Sequence, residues 1–587
     1  MSIQKITQKI VERSKVSRKI YLNRVHEALA QPKVEALSCS NIAHTVASCP
    51  HNEKNAFSDG NVKNIAIVSA YNDMLSAHAP YYRYPEKIKN ILSKNSMIAQ
   101  VAGGVPAMCD GVTQGQDGMD LSLFSRDVIA QATVISLSHN VFDGAVMLGI
   151  CDKIVPGLFM GLMSFGHLPA IFLPAGPMVS GISNDEKARI RQEYAKGSIG
   201  TNELLKAEMS SYSAQGTCTF YGTANTNQML LEVMGLHVPG SSFVPALSKQ
   251  RDEMDKKGLE SLVKNVNEIK PIGLMIDEKS FVNAIVMLLA TGGSTNHTLH
   301  LIAMARSCGI IINWQDFDEL SKLTPLLAKI YPNGSADIND FHRAGGTRFV
   351  ITELIRHNLL HVDVQTVMGK GLNAYTCKDE SLNIAILQNK ENAFSSQGGL
   401  TLMEGNLGKA VIKTSSLKTK ERKFTLKAKV FSSQEHVKES YKKGELNRDF
   451  IAVLPFQGAS ATGMPELHSL SPILGLLQDQ GHNVVLITDG RMSGASGKFP
   501  AIIHTSPEAQ KGGLLGIVKE NDVIEVDIDN GKMSLHVNED EILKRTKQIK
   551  KKPIIGSGRE LFGFFRENVN SSEHGASQFS LPGEEKC

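Results

Sequence analysis

Short apolar runs alternate with helical patterns through the first two thirds of the chain. Residues 64–69, 144–150 and 168–173 are largely hydrophobic stretches of strand length. The spacing of apolar positions predicts helices over residues 125–136 and 184–197. Buried strands that alternate with helices are typical of a mainly parallel sheet covered on both faces. Such sheets bind ligands at the carboxyl ends of their strands, so a site is expected in the loops that follow these runs.

The pattern changes near residue 395, where short strand-like segments separated by glycine-rich turns begin. This change predicts a β-rich, barrel-like second domain. We therefore expect an α/β protein with two domains. Residues 1–395 form an N-terminal α/β domain with a mainly parallel sheet, and residues 396–587 form a C-terminal β-barrel-like domain. The strand candidates of the second domain are 409–413, 423–430, 450–455, 483–488, 523–528 and 533–537.

Both ends of the chain carry helical patterns. Residues 1 to about 30 mix Lys and Arg with Glu at helical spacing, which predicts a surface helix. A last amphipathic helix is predicted at about residues 558–568, and the polar tail after it is expected to be disordered.

Composition excludes several classes of protein. The 63 Lys and Arg against 59 Asp and Glu give a net charge of only +4, so neither nucleic acid nor a membrane surface is an expected partner. The apolar runs are too short to cross a bilayer, and the N-terminus lacks an apolar signal core. The eight cysteines are sparse and irregularly spaced, which argues against a disulfide framework. We expect a cytoplasmic protein.

The segment Cys151-Asp152-Lys153 places a thiol, a carboxylate and an amine inside an apolar run. With its flanks it predicts a buried strand, a turn at Pro156-Gly157 and a buried helix. Buried ionisable groups must be paired or functional. A thiolate is a soft metal ligand and a carboxylate a hard one, so the segment is a candidate metal site. The alternative is a core cysteine beside a solvated ion pair.

Two further cysteines lie in polar loops of the same kind. Cys109 and Cys218 are 42 and 67 residues from Cys151, which excludes a zinc ribbon or a ferredoxin run. Such long spacing is what a cluster held by separate loops of one domain requires. By spacing alone, three buried thiols without a metal are the more common explanation of such a pattern.

A role for the segment 488–498 can be argued from its own residues. An apolar strand at residues 484–487 delivers Asp489, Arg491 and Ser493 to a glycine-rich turn. Successive backbone N–H groups in such a turn bind anions, and arginine adds a bidentate carboxylate contact. The alternative is an ordinary turn between a strand and a helix.

Taken together, these motifs resemble the dihydroxy-acid/6-phosphogluconate dehydratase family. Cys151-Asp152-Lys153-Ile154-Val155-Pro156-Gly157 is similar to one family signature, and residues 486–496 (LITDGRMSGAS) to a second. The phosphogluconate branch is the most similar, through residues 71–78, 108–115, 217–228 and 463–468. The resemblance implies an N-terminal α/β domain that holds an iron–sulfur cluster, a C-terminal barrel that closes over it, and a homodimer.

The resemblance also implies a reaction and a set of roles. The reaction is loss of water from 6-phospho-D-gluconate, a phosphorylated sugar acid, to give 2-dehydro-3-deoxy-6-phospho-D-gluconate in the Entner–Doudoroff pathway. Cys151 and Cys218 carry over as ligands of a 4Fe–4S cluster in which one iron lacks a protein ligand, and Cys109 is the candidate third ligand. Ser493 is the expected base.

A hard-cation site is implied beside the cluster, with Mg²⁺ as a further candidate cofactor. Asp110, Asp152 and Lys153 form or support it, and Lys153, which is carbamylated in some relatives, shares the catalytic role with Asp152 and Ser493. Arg491, Ser493 and Lys498 are the expected substrate contacts. The phosphate contacts stay open among Arg491, Lys498, Arg126 and residues 294–297.

Two positions depart from the dihydroxy-acid branch. Ala77 stands where that branch has a cluster-binding cysteine, and Gln457 lies near the position of its glutamate ligand to magnesium. These departures disfavour a dihydroxy-acid or unphosphorylated aldonate dehydratase, which is the nearest alternative. A non-catalytic iron–sulfur sensor is the second alternative, and the presence of Ser493, Asp152 and Lys153 argues against it.

Overall fold

The N-terminal part of the molecule is built on a parallel sheet. The computed structural model describes residues 2–31, 37–58, 60, 62–195, 197–378, 381–417, 421–494, 499–547 and 558–584. The strands pair in the order β2–β1–β3–β4 with every pairing parallel. Nearly every position of β1, β3 and β4 is buried, as expected of strands covered on both faces. The strands are β1 (Lys63–Ser69), β2 (Met97–Gly104), β3 (Gly144–Leu148) and β4 (Ala170–Phe172).

Helices cover this sheet and extend beyond it, and a two-stranded hairpin of β5 (Gln365–Thr366) and β6 (Gly369–Lys370) follows them. The helices are α1 (Ile3–Ala30), α2 (Cys39–Val46), α3 (His51–Ser58), α4 (Tyr84–Leu92), α5 (Asp110–Thr113), α6 (Ser122–Leu137), α7 (Ile154–Met163), α8 (Asn184–Ala195), α9 (Thr201–Ser211), α10 (Thr223–Val233), α11 (Lys249–Asn267), α12 (Ile272–Met275), α13 (Glu278–Ala290), α14 (His297–Ser307), α15 (Trp314–Ser321), α16 (Ile338–Arg343) and α17 (Gly346–Arg356).

The predicted turn at Pro156-Gly157 is wrong, because both residues lie inside α7. Proline is tolerated in the first turn of a helix, where its missing N–H has no intrahelical partner to lose. A Cβ at Gly157 would lie 2.5 Å from the carbonyl oxygen of Arg126. The glycine therefore lets α7 pack closely on α6 rather than ending the helix.

The second part of the molecule is a closed eight-stranded barrel, which confirms the predicted architecture. Its strands follow the order β10–β11–β12–β8–β7–β14–β13–β9, and β9 pairs with β10 to close it. Two of its strands, β7 and β12, were not predicted. The strands are β7 (Leu400–Gly405), β8 (Gly408–Lys413), β9 (Lys423–Val430), β10 (Phe450–Leu454), β11 (Val484–Thr488), β12 (Ala501–Ser506), β13 (Val523–Asp527) and β14 (Lys532–Leu535). The helices of this part are α18 (Gln434–Lys442), α19 (Ala459–Thr462), α20 (Leu470–Asp479), α21 (Glu539–Thr546) and α22 (Gly563–Asn568).

The segment after α22, residues 569–584, packs back onto the N-terminal part, and we call it the C-terminal strap. Its Ser577 hydroxyl and Gln578 backbone N–H donate to Asp127 Oδ2 at 3.0 and 2.9 Å. Near its end, Glu584 pairs with Arg306 of α14 at 2.7 Å. The predicted disorder of this segment is therefore wrong, because buried polar groups far away in sequence bind its backbone.

None of the helices in the described part of the chain combines the length and the apolar character that a membrane span requires.

Candidate active site

The three cysteines singled out in the sequence meet at the carboxyl edge of the parallel sheet. Cys109 follows β2 and precedes α5, and Cys151 follows β3. Cys218 reaches the same edge because Thr217 forms a β-bridge with Pro177, in the loop after β4. All three thiols are free of disulfide bonds.

The electrostatics of the thiols show that they interact. The Cys109 pKa is lowered to about 6, chiefly because it hydrogen-bonds with the Cys151 thiol. The same contact, together with burial, raises the pKa of Cys151. Burial raises the pKa of Cys218 to about 12, and the nearby Cys109 adds to this rise.

The ligand atoms of the three cysteines are not all close together. Among the described residues, no group of three potential ligand atoms that includes these thiols lies within 4.8 Å of one another. A tetrahedral ion with metal–sulfur bonds of about 2.3 Å requires sulfur atoms closer than that.

A buried set of charges lies beside the cysteines. Lys153 Nζ is 2.6 Å from both Asp110 Oδ2 and Asp152 Oδ2. Arg491, delivered by the turn after β11, places Nη2 2.8 Å from Asp110 Oδ2. Burial opposes ionisation of the two aspartates, but the charges of Lys153 and Arg491 outweigh it and hold both pKa values below the usual range. Burial also opposes the charge of Lys153, yet the two carboxylates raise its pKa.

Glu466 completes this set, and the sequence analysis did not single it out as a site residue. Burial and the nearby Asp110 charge raise its pKa to about 8. Its carboxyl group hydrogen-bonds with the Ser493 side chain and lies 4.0 Å from Arg491 Nη1. A protonated Glu466 can donate a hydrogen bond where an ionised one could not. The signal available in the sequence was the segment 463–468, which was used only for the family resemblance.

The turn that carries Arg491 and Ser493 is fixed by Asp489. Its carboxylate accepts hydrogen bonds from the backbone N–H groups of Phe456, Gln457 and Ala509, at 3.2, 2.8 and 2.9 Å. Burial raises the Asp489 pKa to about 6 against the opposing effect of these bonds. Arg491 Nε also donates to the carbonyl of Met464, at 2.9 Å. Asp489 therefore has a structural role. The Gln457 side chain donates to the nearby carbonyls of Pro455 and Phe456.

Side chains of α10 and α14 contact the loop that carries Cys151 and fix its position. Asn227 Nδ2 donates to the carbonyl oxygens of Cys151 and Asp152, at 3.2 and 2.8 Å. His297 Nε2 lies 2.9 Å from Asn227 Oδ1. His300 Nε2 lies 3.4 Å from Asp152 Oδ1. All three side chains are buried. Asn227 and His300 were not predicted as site residues, because only the tertiary fold brings them to the loop, and His297 was predicted only as an open phosphate candidate.

Two profiles of one enzyme family match the chain. The first, described as dihydroxy-acid/6-phosphogluconate dehydratase N-terminal, matches residues 63–375. The second, the C-terminal counterpart, matches residues 385–576. The chain belongs to the dihydroxy-acid/6-phosphogluconate dehydratase family.

Individual relatives separate the branches of the family. The chain is 51% identical to a phosphogluconate dehydratase of Helicobacter pylori over 99% of both proteins. It is 50% identical to the phosphogluconate dehydratase of Escherichia coli over 98% of both. Similarity to the dihydroxy-acid dehydratase of Acetivibrio thermocellus is lower, at 34% identity over 87% of this chain and 93% of that protein.

The structure brings most of the predicted site residues together. Near one another at the junction of sheet and barrel are Cys109, Asp110, Cys151, Asp152, Lys153, Cys218, Arg491 and Ser493. Lys498, the remaining predicted substrate contact, lies outside the described residues.

Two of the candidates for phosphate binding, Arg126 and residues 294–297, make hydrogen bonds within the protein. Arg126 is completely buried and donates to backbone carbonyls of the C-terminal strap. Residues 294–297 are buried as well, with Ser294 hydrogen-bonded to Thr223 and His297 to Asn227. The Arg126 guanidinium and the side chains of Ser294 and His297 are therefore already hydrogen-bonded within the protein.

Proposed function

We propose that the protein is a phosphogluconate dehydratase, a hydro-lyase that converts 6-phospho-D-gluconate to 2-dehydro-3-deoxy-6-phospho-D-gluconate and water. The observation that carries this proposal is the identity of about half of all positions, over almost the full length, with relatives of that name. The lower identity with the dihydroxy-acid dehydratase agrees with the two departures at Ala77 and Gln457.

An iron–sulfur cluster is the proposed cofactor. The chemistry of the donors fits it, because three free thiols from separate loops face one another and one has a lowered pKa. Cys109, Cys151 and Cys218 would hold a 4Fe–4S cluster and leave one iron without a protein ligand. When bound, such a cluster supplies Lewis acidity to the departing C3 hydroxyl group, since hydroxide is otherwise a poor leaving group.

Mg²⁺ is a further candidate at the carboxylates of Asp110, Asp152 and Glu466. Hard cations prefer carboxylate oxygens, and Asp152 Oδ1 is buried without a hydrogen-bond partner. In the structure, the Lys153 ammonium occupies the space between two of these carboxylates. A carbamate on Lys153 would bring a third negative charge there, so carbamylation requires a cation in the same place.

The chain's own residues account for the proton transfer. Ser493, at the barrel side of the site, is the proposed base that removes the C2 proton. A serine hydroxyl is far too weak a base unless positive charge stabilises its alkoxide. Arg491 supplies that charge beside the Glu466 carboxyl group that Ser493 contacts, and Lys153 lies beyond it at Asp110. The same two cations stabilise negative charge that develops on the substrate carboxylate in the enolate. The enol product then tautomerises to the ketone.

Three further parts of the proposal follow from the family. The enzyme acts as a homodimer, it is located in the cytoplasm, and neither nucleic acid nor a membrane is its partner. The near-balanced charge supports the last point. Size-exclusion chromatography with light scattering tests the dimer directly.

Anaerobic turnover of 6-phosphogluconate tests the function. We expect the wild-type protein to form the 2-keto product, and to leave gluconate and a 2,3-dihydroxy branched acid largely unchanged. Turnover of one of those acids instead would favour the nearest alternative, and a bound cluster without turnover of any acid would favour the sensor.

The Cys109→Ser variant tests the third ligand. We expect a lower iron content and a loss of turnover, because serine is a poor ligand for a soft iron site. Cys39→Ser is the matched control, since Cys39 is exposed and lies at the start of α2. A Cys109→Ser protein with full iron content and full activity refutes the assignment of this ligand.

A further inference from the structure

A buried arginine connects the C-terminal strap to the interior of the molecule. Arg126 of α6 is fully buried. Its Nη1 and Nη2 donate to the carbonyl oxygens of Gly575 and Ala576, at 3.0 and 2.7 Å. Its Nε donates to Asp127, which in turn accepts from the strap. The guanidinium group is therefore fixed in position by residues from the far end of the chain.

The same guanidinium group fixes the tautomer of a histidine. Arg126 Nη1 lies 3.3 Å from His300 Nδ1. Arginine always donates, so His300 Nδ1 must accept, and the proton of a neutral imidazole then resides on Nε2.

The protonated nitrogen faces the catalytic carboxylate. His300 Nε2 lies 3.4 Å from Asp152 Oδ1. Both atoms are buried and have no other hydrogen-bond partner within the described structure. A slight movement of either side chain closes this gap into a hydrogen bond, since 3.4 Å lies just beyond the normal range.

We propose that the C-terminal strap is a working part of the active site, acting through Arg126 and His300 as positioning residues for Asp152. The strap carbonyls hold Arg126, Arg126 orients the ring of His300, and His300 orients the carboxylate. The proposal rests on the proposed function, because Asp152 is catalytic only if the site dehydrates a sugar acid.

Two substitutions at one position test the role of His300. Glutamine places an amide N–H near the position of Nε2, whereas asparagine reaches only the position of Nδ1. We expect His300→Asn to lower kcat by about 10- to 100-fold, the usual effect of losing a group that orients a ligand, with KM nearly unchanged. We expect His300→Gln to restore most of the activity. Equal loss in the two variants, or a change in KM alone, overturns the proposal.

The variant Arg126→Lys tests the connection to the strap. Lysine cannot reach both carbonyls and His300 at once, so kcat should fall. If Arg126 acts through His300, the double variant Arg126→Lys/His300→Asn should be no slower than His300→Asn alone. If the fold-losses in kcat of the two single variants multiply in the double variant, the two residues act independently and the proposal is refuted. If Arg126→Lys fails to fold, the two His300 variants still test whether His300 positions Asp152.

Unfolding of the cluster-free protein provides a readout independent of turnover. The midpoints of the two single variants and the double variant should be non-additive, and additivity would disprove the Arg126–His300 contact itself. Wild-type protein that turns over no 6-phosphogluconate would refute the proposed function but not this contact. Glu584→Gln is the control, because it removes the exposed strap ion pair to Arg306 and leaves the three connected groups intact.

Discussion

The ammonium, guanidinium and carboxylate groups around Lys153 balance in charge at neutral pH, and the lowered pKa of Cys109 adds a negative thiolate beside them. Lys153 and Arg491 are positive, Asp110 and Asp152 are negative, and the raised pKa of Glu466 leaves that group mainly protonated. Removing one member of a buried charged set typically costs about 3–5 kcal/mol, because the remaining charge has no partner.

Ser493→Ala should leave the fold and the iron content unchanged while turnover falls by about 10²- to 10⁴-fold, the contribution typical of a general base. Anaerobic kinetics with 6-phosphogluconate measures the loss, and Ser432→Ala, at an exposed serine, is the control. An active Ser493→Ala enzyme would remove serine from the proposed chemistry.

Lys413 makes stability depend on pH in an unusual direction. It is buried at the end of β8, donates to the carbonyl of Gly292 at 2.8 Å, and burial lowers its pKa from 10.5 to about 7. Between these values the unfolded chain binds a proton that the folded chain does not. Stability therefore rises with pH across this window, by at most about 1.4 kcal/mol per unit.

Replacing Lys413 by Met removes this dependence. Relative to Lys413→Met, the wild type should gain stability as the pH rises from 7 to 10, as measured by thermal unfolding of the cluster-free protein. Lys409→Met, at an exposed position of the same strand, should show a constant difference from the wild type. A constant difference for Lys413→Met as well would contradict the burial of an uncharged amine.

The residues predicted from the sequence are those whose chemistry is visible locally. Cys151, Asp152 and Lys153 are adjacent in the chain, and the unusual mixture of polar groups in an apolar run marks them. Glu466 and His300 were missed because an isolated glutamate or histidine beside apolar residues looks the same whether it faces a site or a neighbouring helix. Arg126 was left as an open phosphate candidate for a related reason, since its partners are carbonyl oxygens, which have no signature in the sequence.

The packing of α7 on α6 depends on glycine. A Cβ at Gly157 would lie 2.5 Å from the carbonyl oxygen of Arg126 and 2.7 Å from Ile129 Cγ2. Contacts this short require the two helices to move apart. Because Cys151 and Asp152 immediately precede α7, such movement would also displace the site.

Gly157→Ala and Gly475→Ala form a matched pair. Helix propensity favours alanine at both positions by about 0.5–1 kcal/mol. Gly475 lies in α20 with open space around its Cα, so Gly475→Ala should raise the unfolding midpoint. Gly157→Ala should lower it, because the steric conflict in α7 outweighs propensity. An increase in both variants would show that α6 and α7 separate at little cost.

Elements whose hydrophobic residues recur with a clear period were predicted well. The ends of elements and the strands with an irregular pattern were not. The predicted strand at residues 423–430 coincides with β9. The strand β12 was missed because its register shifts after Ile503, and His504 has a left-handed φ of 63° that breaks the alternation. The predicted turn at Pro156-Gly157 failed because close helix packing and a helix start use the same two residue types as a turn.

At the scale of the molecule, the strap joins the two parts. Val569 and Ala576 belong to a buried apolar cluster that also contains Leu123 and Phe124 of α6 and Met464 of the barrel side. Met464 also accepts the hydrogen bond from Arg491 Nε. One small cluster thus links the helices that cover the sheet, the barrel loop of the site and the end of the chain.

A chain that ends at Asn570 should unfold at a clearly lower temperature than the full chain. The deletion leaves the buried Arg126 without its two carbonyl partners, and each lost hydrogen bond to a charged group costs about 1.5–3 kcal/mol. Thermal unfolding measures the effect. A chain that ends at Glu584 is the control and should match the full-length protein, because it keeps every described strap contact. Equal midpoints for both deletions would contradict the role of the strap.

The two-part architecture was predictable because each part has its own period, alternating strands and helices first and closely spaced strands afterwards. The boundary between residues 395 and 396 remains a prediction. The strap was not predictable, because its contacts use backbone carbonyls and because Arg126 and Gly575 are 449 positions apart. A local sequence pattern cannot predict a contact between two residues that are so far apart in the chain.

This separation has a consequence for synthesis on the ribosome. At roughly 5–20 residues per second, translation of the 449 residues between Arg126 and Gly575 takes about 20 to 90 s. Throughout that interval the nascent α6 carries a guanidinium group whose eventual partners do not yet exist. The N-terminal half therefore cannot reach its final arrangement until the strap has been translated.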